Sequence, residues 1–133
     1  MKLIPAIQAT EEQINSFLKN NDNVNKHSLI EKGYVVEINQ KIEGCFILEA
    51  MEEGVYWLKQ LYITKSEAAK LPILLESILT LAKQQQAKLI YVHSHQPVVD
   101  ILLEALQFHP QKERVFVDKY DVNEGSWWSY SVS

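Results

Sequence analysis

The sequence predicts an α/β domain spanning residues 1–133, with a mixed, mostly antiparallel sheet, one parallel βαβ crossover, and helices on both faces. Three observations carry this. Between Tyr34 and Ile63, three apolar, β-branched or aromatic runs are joined by short polar turns, the pattern of an antiparallel meander. Between Val55 and Phe108 the order is strand, helix, strand, helix. A strand–helix–strand unit of that size places two parallel strands in one sheet. Two further strand-like runs then close the chain.

Lys2 to Gln8 is short and apolar-leaning, and Pro5 has no N–H to donate, so a strand here belongs at a sheet edge. Thr10 starts a helix, because Gln13 follows at capping-box spacing and Ile14, Phe17 and Leu18 form one apolar stripe fading near Asn20. The asparagine-rich stretch 20–28 reads as loop, since those side chains compete for backbone hydrogen bonds, with a short helix from Ser28 to Lys32. Strands are expected at Tyr34–Ile38, Ile42–Ala50 and Val55–Ile63, turning at Asn39-Gln40-Lys41 and Glu52-Glu53-Gly54. Gly44, inside the second strand, marks a bulge or a close approach of backbone.

Pro72 suits a first helical turn and disfavours helical angles at Leu71, so 64–71 reads as loop and the helix begins near Pro72. Leu74, Leu75, Ile78 and Ala82 give it an apolar face, and Gln84-Gln85-Gln86 its polar end. Lys88–His93 is a strand, and Pro97 opens a helix carrying Ile101, Leu102, Ala105 and Leu106. Final strands are expected at Arg114–Tyr120 and Ser126–Val132, joined as a hairpin through Asn123-Glu124-Gly125. Trp127 and Trp128 are adjacent in the last one and should face opposite ways; closing the core is the default role for at least one, which leaves the other able to be exposed. An exposed tryptophan would suit a homodimer contact or a binding wall.

Apolar residues make up 47% of the chain and charged residues 23%, the balance of an ordinary globular protein. The net charge of -4 is spread along the sequence, which argues against a dedicated nucleic-acid binder. No run approaches the ~20 apolar residues that a membrane span needs. Cys45 is the only cysteine, so no intrachain disulfide forms, and Met1–Pro5 lacks the apolar run of a signal peptide. A cytoplasmic location is expected.

Three ordered segments resemble a known family. Leu58-Lys59-Gln60-Leu61-Tyr62-Ile63 is similar to a central strand of the form L-E-x-L-x-V. Leu74-Leu75-Glu76-Ser77, Ala82-Lys83 and Gln86-Ala87-Lys88-Leu89-Ile90 resemble the helix and strand that follow it. Gln96, Val99, Leu102 and Phe108 fall on a pattern N-x-x-A-x-x-L-Y-x-x-x-G-F. Together they resemble the GNAT superfamily of acetyl-CoA-dependent N-acetyltransferases, implying a GNAT-like domain that acylates a small-molecule or protein amine. The resemblance implies that acetyl-CoA is the co-substrate, with its pantetheine arm on the backbone of Leu61, Tyr62 and Ile63. Its pyrophosphate would lie at Ala68, Ala69 and Lys70, with Gln96 as a further contact.

The same alignment shows departures. The family's R/Q-x-x-G-x-G/A loop, whose glycines let backbone N–H groups approach phosphate at a helix N-terminus, corresponds to Ser66-Glu67-Ala68-Ala69-Lys70-Leu71, shorter by one residue and without glycine. The central-strand glutamate that often serves as base corresponds to Lys59, and the tyrosine that often serves as acid to Leu103. The alternative implied is a non-catalytic GNAT-like domain that binds a ligand or a protein partner.

Other residues carry groups suited to the missing chemistry. Glu37, Glu43 and Glu49 recur at intervals of six and can share one side of the meander; Glu49, nearest the central strand, is the candidate base, against a solvated sheet face. His93 and His95 flank Ser94 at the C-terminal end of a strand, where ligands collect in open α/β sheets. His93 is the candidate there, against a histidine in a polar loop. No third ligand with recognisable spacing supports a metal site. Cys45 lacks a visible base and reads as a buried structural thiol.

Overall fold

In the computed structural model, residues 1–19, 21, 24–94, 97–110 and 126–132 are described. The expected strand at 114–120, the hairpin turn at 123–125, His95 and Gln96 lie outside them. The described strands form one sheet in the spatial order Lys2–Pro5, Gly33–Ile38, Lys41–Glu52, Val55–Ile63, Leu89–Ser94, Ser126–Ser131 and His109–Pro110, mostly antiparallel with one parallel pair, as the sequence predicts. The chain divides into two compact units, residues 1–49 with 58–74 and residues 50–57 with 75–133.

In the first unit, β1 (Lys2–Pro5) is the edge strand, consistent with Pro5, and it ends in a 3-10 turn at Ala6–Gln8. The helix α1 (Glu11–Leu18) carries the predicted capping box: Thr10 accepts from the Gln13 N–H at 3.1 Å, and the Gln13 side chain accepts from the Thr10 N–H at 3.1 Å. Such a cap contributes about 1 kcal/mol. The second helix, α2 (Lys26–Lys32), starts two residues earlier than expected. Its cap is Asn25, which accepts from the Ser28 N–H at 2.9 Å. Ile14, Phe17, Leu29, Val35 and Cys45 form the core of this unit.

The meander strands are β2 (Gly33–Ile38), β3 (Lys41–Glu52) and β4 (Val55–Ile63). Asn39 and Gln40 turn β2 into β3 with φ of 52° and 69°, the backbone that a two-residue type I′ hairpin requires. The β2–β3 register shifts between Val36 and Glu37: Val36 faces Gly44 and Glu37 faces Ile42, leaving Glu43 as the bulged residue. Gly44 is also a close approach, since a Cβ there would lie 2.6 Å from the Tyr62 carbonyl oxygen.

Residues 65–70 are not the loop expected from sequence. Lys65–Lys70 is a 3-10 helix that runs directly into α3 (Leu71–Gln84), and Leu71 is helical at φ -56°, ψ -41°. The bias against helical angles before proline is overridden because Leu71 caps the preceding 3-10 turn, donating its N–H to the Ala68 carbonyl.

In the second unit, α3 ends with Gln86 at φ 65°, donating to the Lys83 carbonyl, while Ala87 donates to the Ala82 carbonyl. The next helix, α4 (Pro97–Ala105), ends alike, with Gln107 at φ 71° and Phe108 donating to the Leu103 carbonyl. Both are Schellman ends with glutamine where glycine is usual, each followed by a buried apolar residue. The strand β5 (Leu89–Ser94) pairs antiparallel with β7 (Ser126–Ser131), and β7 pairs with β6 (His109–Pro110), which the sequence did not suggest.

Trp127 and Trp128 do face opposite ways, but neither is exposed, at 5% and 7%. Trp127 packs among Trp57, Tyr91 and His93, whereas Trp128 donates from Nε1 to Asp100 Oδ1 of α4 at 3.0 Å. Both tryptophans are therefore covered within the unit, so each closes the core and neither offers an exposed contact. Gly44→Ala should destabilise the protein by about 1–3 kcal/mol, because a methyl group must displace strand backbone rather than a flexible side chain. Chemical denaturation of the two proteins measures it.

Candidate functional site

The central strand breaks its regularity at Gln60, whose φ is 52°. A non-glycine residue in that region is uncommon and is held there by its surroundings. Here Gln60 Oε1 accepts the Asn25 N–H at 3.2 Å, and the Gln60 carbonyl faces Cys45 Sγ at 3.6 Å. The Cys45 thiol is wholly buried, and burial pushes its pKa up to about 12, so it is a structural group and not a nucleophile.

Leu61, Tyr62 and Ile63 follow this break, and each is half-buried. Thr64 then ties β4 to β3: its N–H donates to the Glu43 carbonyl at 2.8 Å, and its hydroxyl donates to Glu43 Oε2 at 2.7 Å. Ala68 and Ala69 are exposed on the 3-10 helix, and Lys70 pairs with Glu67 at 2.8 Å. The 3-10 pattern directs backbone N–H groups to carbonyls three residues back. Thus Glu67 donates to Thr64 at 3.0 Å and Leu71 to Ala68, while Pro72 has no N–H. Leu103, in the other unit, is a fully buried core residue.

Glu49 is engaged. One carboxylate oxygen receives Lys32 Nζ at 2.8 Å and the other receives Lys59 Nζ. These contacts hold the Glu49 carboxyl below the usual carboxylate range, Lys32 first and Lys59 next, and Glu49 in turn raises the Lys32 pKa. An anion stabilised in this way is a weaker base. Lys59, standing where the resemblance expects a glutamate, is thus the partner of a glutamate from the neighbouring strand. His93 lies opposite Trp127, with ring centroids 5.0 Å apart, inside the aromatic cluster of the second unit.

The first unit also holds a cleft of about 590 Å³ that no sequence motif announces. Glu12, Phe17, Asn21, Ile42, Glu43 and Tyr62 line it, with Lys41 and Thr64 beside them. Glu43 enters it from the bulge in β3, and the rings of Phe17 and Tyr62 meet edge-on at 5.8 Å. The only sequence signals were the interval-of-six glutamates and the capping-box helix, neither of which brings these residues together. Among the described residues, no group of three or more His, Cys, Asp or Glu is placed to hold a metal ion. No helix among them is long and apolar enough to cross a membrane.

The architecture matches solved structures over nearly the whole chain. An acetyltransferase of the GNAT family from Staphylococcus aureus superposes with a TM-score of 0.69 at 16% identity, covering 99% of both chains. The chain has the GNAT fold. The Campylobacter jejuni N-acetyltransferase PseH in complex with acetyl coenzyme A matches with a TM-score of 0.71 at 13% identity, covering 99% of both. A Bacillus subtilis acetyltransferase in complex with CoA matches with a TM-score of 0.67 at 14% identity, covering 95% of both. No protein-family model matches the sequence, and no curated protein matches it.

Glu49→Gln should lower the melting temperature by a few °C at pH 7. Its folded-state pKa is depressed, so its contribution is present above the unfolded carboxylate value, ~4.3, and is lost as pH falls through the folded one. The melting curves of the two proteins should therefore converge in acid; a gap that persists there would contradict the ion-pair account.

Proposed function

We propose that this chain is a non-catalytic GNAT-fold domain that binds a small-molecule ligand. One observation carries this reading: the segment where the fold would take a pyrophosphate is a closed 3-10 helix. At its end Leu71 N–H is spent on Ala68, Pro72 offers no N–H, and the Lys70 charge is paired with Glu67. An anion site at a helix N-terminus depends on open N–H groups and uncompensated positive potential. Ser66 to Leu71 do not fit a pyrophosphate on either count.

The proton-transfer positions support the same conclusion. Lys59 is bound to Glu49, Leu103 is sealed in the core, and Glu49 is held as an anion by two ammonium groups. His93, proposed from sequence as a catalytic contact, sits half-buried against Trp127. Leu61, Tyr62 and Ile63 keep backbone groups that depend on no particular side chain, and Gln96 would add a polar contact.

A second reading is a divergent acetyl-CoA-dependent N-acetyltransferase acting on a small-molecule or protein amine in the cytoplasm. It is favoured by the full-length likeness to solved acetyltransferases, two of them complexes with CoA or acetyl coenzyme A. Calorimetric titration with acetyl-CoA, combined with a thiol-release assay across a panel of amines, separates the two. The first reading expects no binding up to ~1 mM and no thiol release. Amine-dependent release of CoA thiol would overturn it in favour of the second.

A further inference from the structure

Resting on the ligand-binding reading, we propose that the cleft of the first unit takes a guanidinium-bearing ligand, with Glu43 as its counter-ion and Asn21 as a second acceptor. The cleft's volume, about 590 Å³, falls within the ~300–1,000 Å³ range of small-molecule sites. Three observations select the chemistry.

The first is an uncompensated carboxylate. Glu43 Oε2 is steadied by hydroxyls, Thr64 at 2.7 Å and Ser66 at 3.5 Å. Among the described residues it has no ion-pair partner, and neither has Glu12 beside it in the cleft. Hydroxyl donors are neutral, so they leave the carboxylate's charge uncancelled. The Oε1 atom is left for a cation. Glu12 adds a second negative charge from α1, and exposed Lys41 a single positive one.

The second is a buried amide with an acceptor to spare. Asn21 is 8% exposed and lines the cleft. Its Nδ2 donates to the Phe17 carbonyl at 2.7 Å, but among the described residues no donor reaches its Oδ1. That oxygen is not sealed from solvent, so it can accept an N–H from a ligand in the cleft.

The third is the wall. Phe17 and Tyr62 present aromatic carbon to the cleft, and an aromatic surface favours a planar, delocalised cation. The acceptors come from separate elements: Glu12 from α1, Asn21 from the segment after it, and Glu43 from β3. A guanidinium fans five N–H donors in one plane and can meet acceptors on several sides, and it is more weakly hydrated than a compact ammonium.

The test is calorimetric titration with Nα-acetyl-arginine amide, the neutral citrulline amide of the same shape, and the lysine amide. The arginine probe should bind at least about tenfold more tightly than either of the others. Glu43→Gln, whose amide oxygen can still accept from the Thr64 hydroxyl, should weaken it about tenfold. Glu12→Gln, on the exposed face of α1, should produce a smaller loss and keeps the test decisive if the first variant does not fold. Agmatine and an arginine-centred tripeptide, compared in the same way, distinguish a free small molecule from a peptide side chain as the source; Glu43-dependent binding of either supports the site. Equal binding of the citrulline or lysine probe, no loss in Glu43→Gln, or no binding up to ~10 mM would overturn it. Failure here without acetyl-CoA-dependent thiol release sinks this inference alone. Thiol release with Glu43-dependent arginine binding intact sinks only the non-catalytic reading.

Discussion

The approach of Gly44 to the Tyr62 carbonyl is the constraint on which the first unit depends. Three successive residues of β3 meet the central strand there. Glu43 takes the Thr64 N–H and hydroxyl, Gly44 leaves room for the Tyr62 carbonyl, and the Cys45 thiol meets the Gln60 carbonyl. A side chain at Gly44 would separate these strands, and with them the contacts on either side. The clasp aims Glu43 into the cleft and contributes to holding the irregular backbone at Gln60. It also fixes the Thr64 carbonyl from which the 3-10 helix begins, through the Glu67 N–H.

From that anchor the local chemistry follows. A 3-10 helix starting at a fixed Thr64 carries the chain into Leu71 already in helical geometry. The result is a continuous helical path where an anion-binding turn would need open N–H groups. The charged residues around it are mutually satisfied, Lys70 by Glu67 and Glu49 by Lys32 and Lys59. Glu43 differs because its partners are hydroxyls. Ion-paired carboxylates contribute to stability, while a carboxylate whose partners are neutral hydroxyls at the edge of a cleft has charge to offer a ligand.

Much of the fold was legible because the signals were local. The Thr10–Gln13 box, the three meander strands, the close approach at Gly44 beside the Glu43 bulge, and the helix opening at Pro97 each depend on a few neighbouring residues. Misreadings arose where a distant contact or a continuing hydrogen-bond ladder outweighed local preference. Leu71 is helical before proline because the 3-10 turn behind it uses its N–H. Strand alternation correctly turned Trp127 and Trp128 apart, but could not reveal that α4, through Asp100, covers one while aromatic residues cover the other. The candidate site was the least legible part, since Glu12, Asn21, Glu43 and Tyr62 meet only after folding.

The central claim is that the backbone from Glu67 to Leu74 is closed to phosphate. Amide chemical shifts of the labelled protein, followed during titration with adenosine 3′,5′-bisphosphate and then with CoA, test it most directly. The account predicts that the Glu67, Ala68, Ala69, Lys70, Leu71, Ile73 and Leu74 amides remain in place at millimolar ligand. Saturable movement of those amides together, with CoA acting at lower concentration than the bisphosphate, would contradict it.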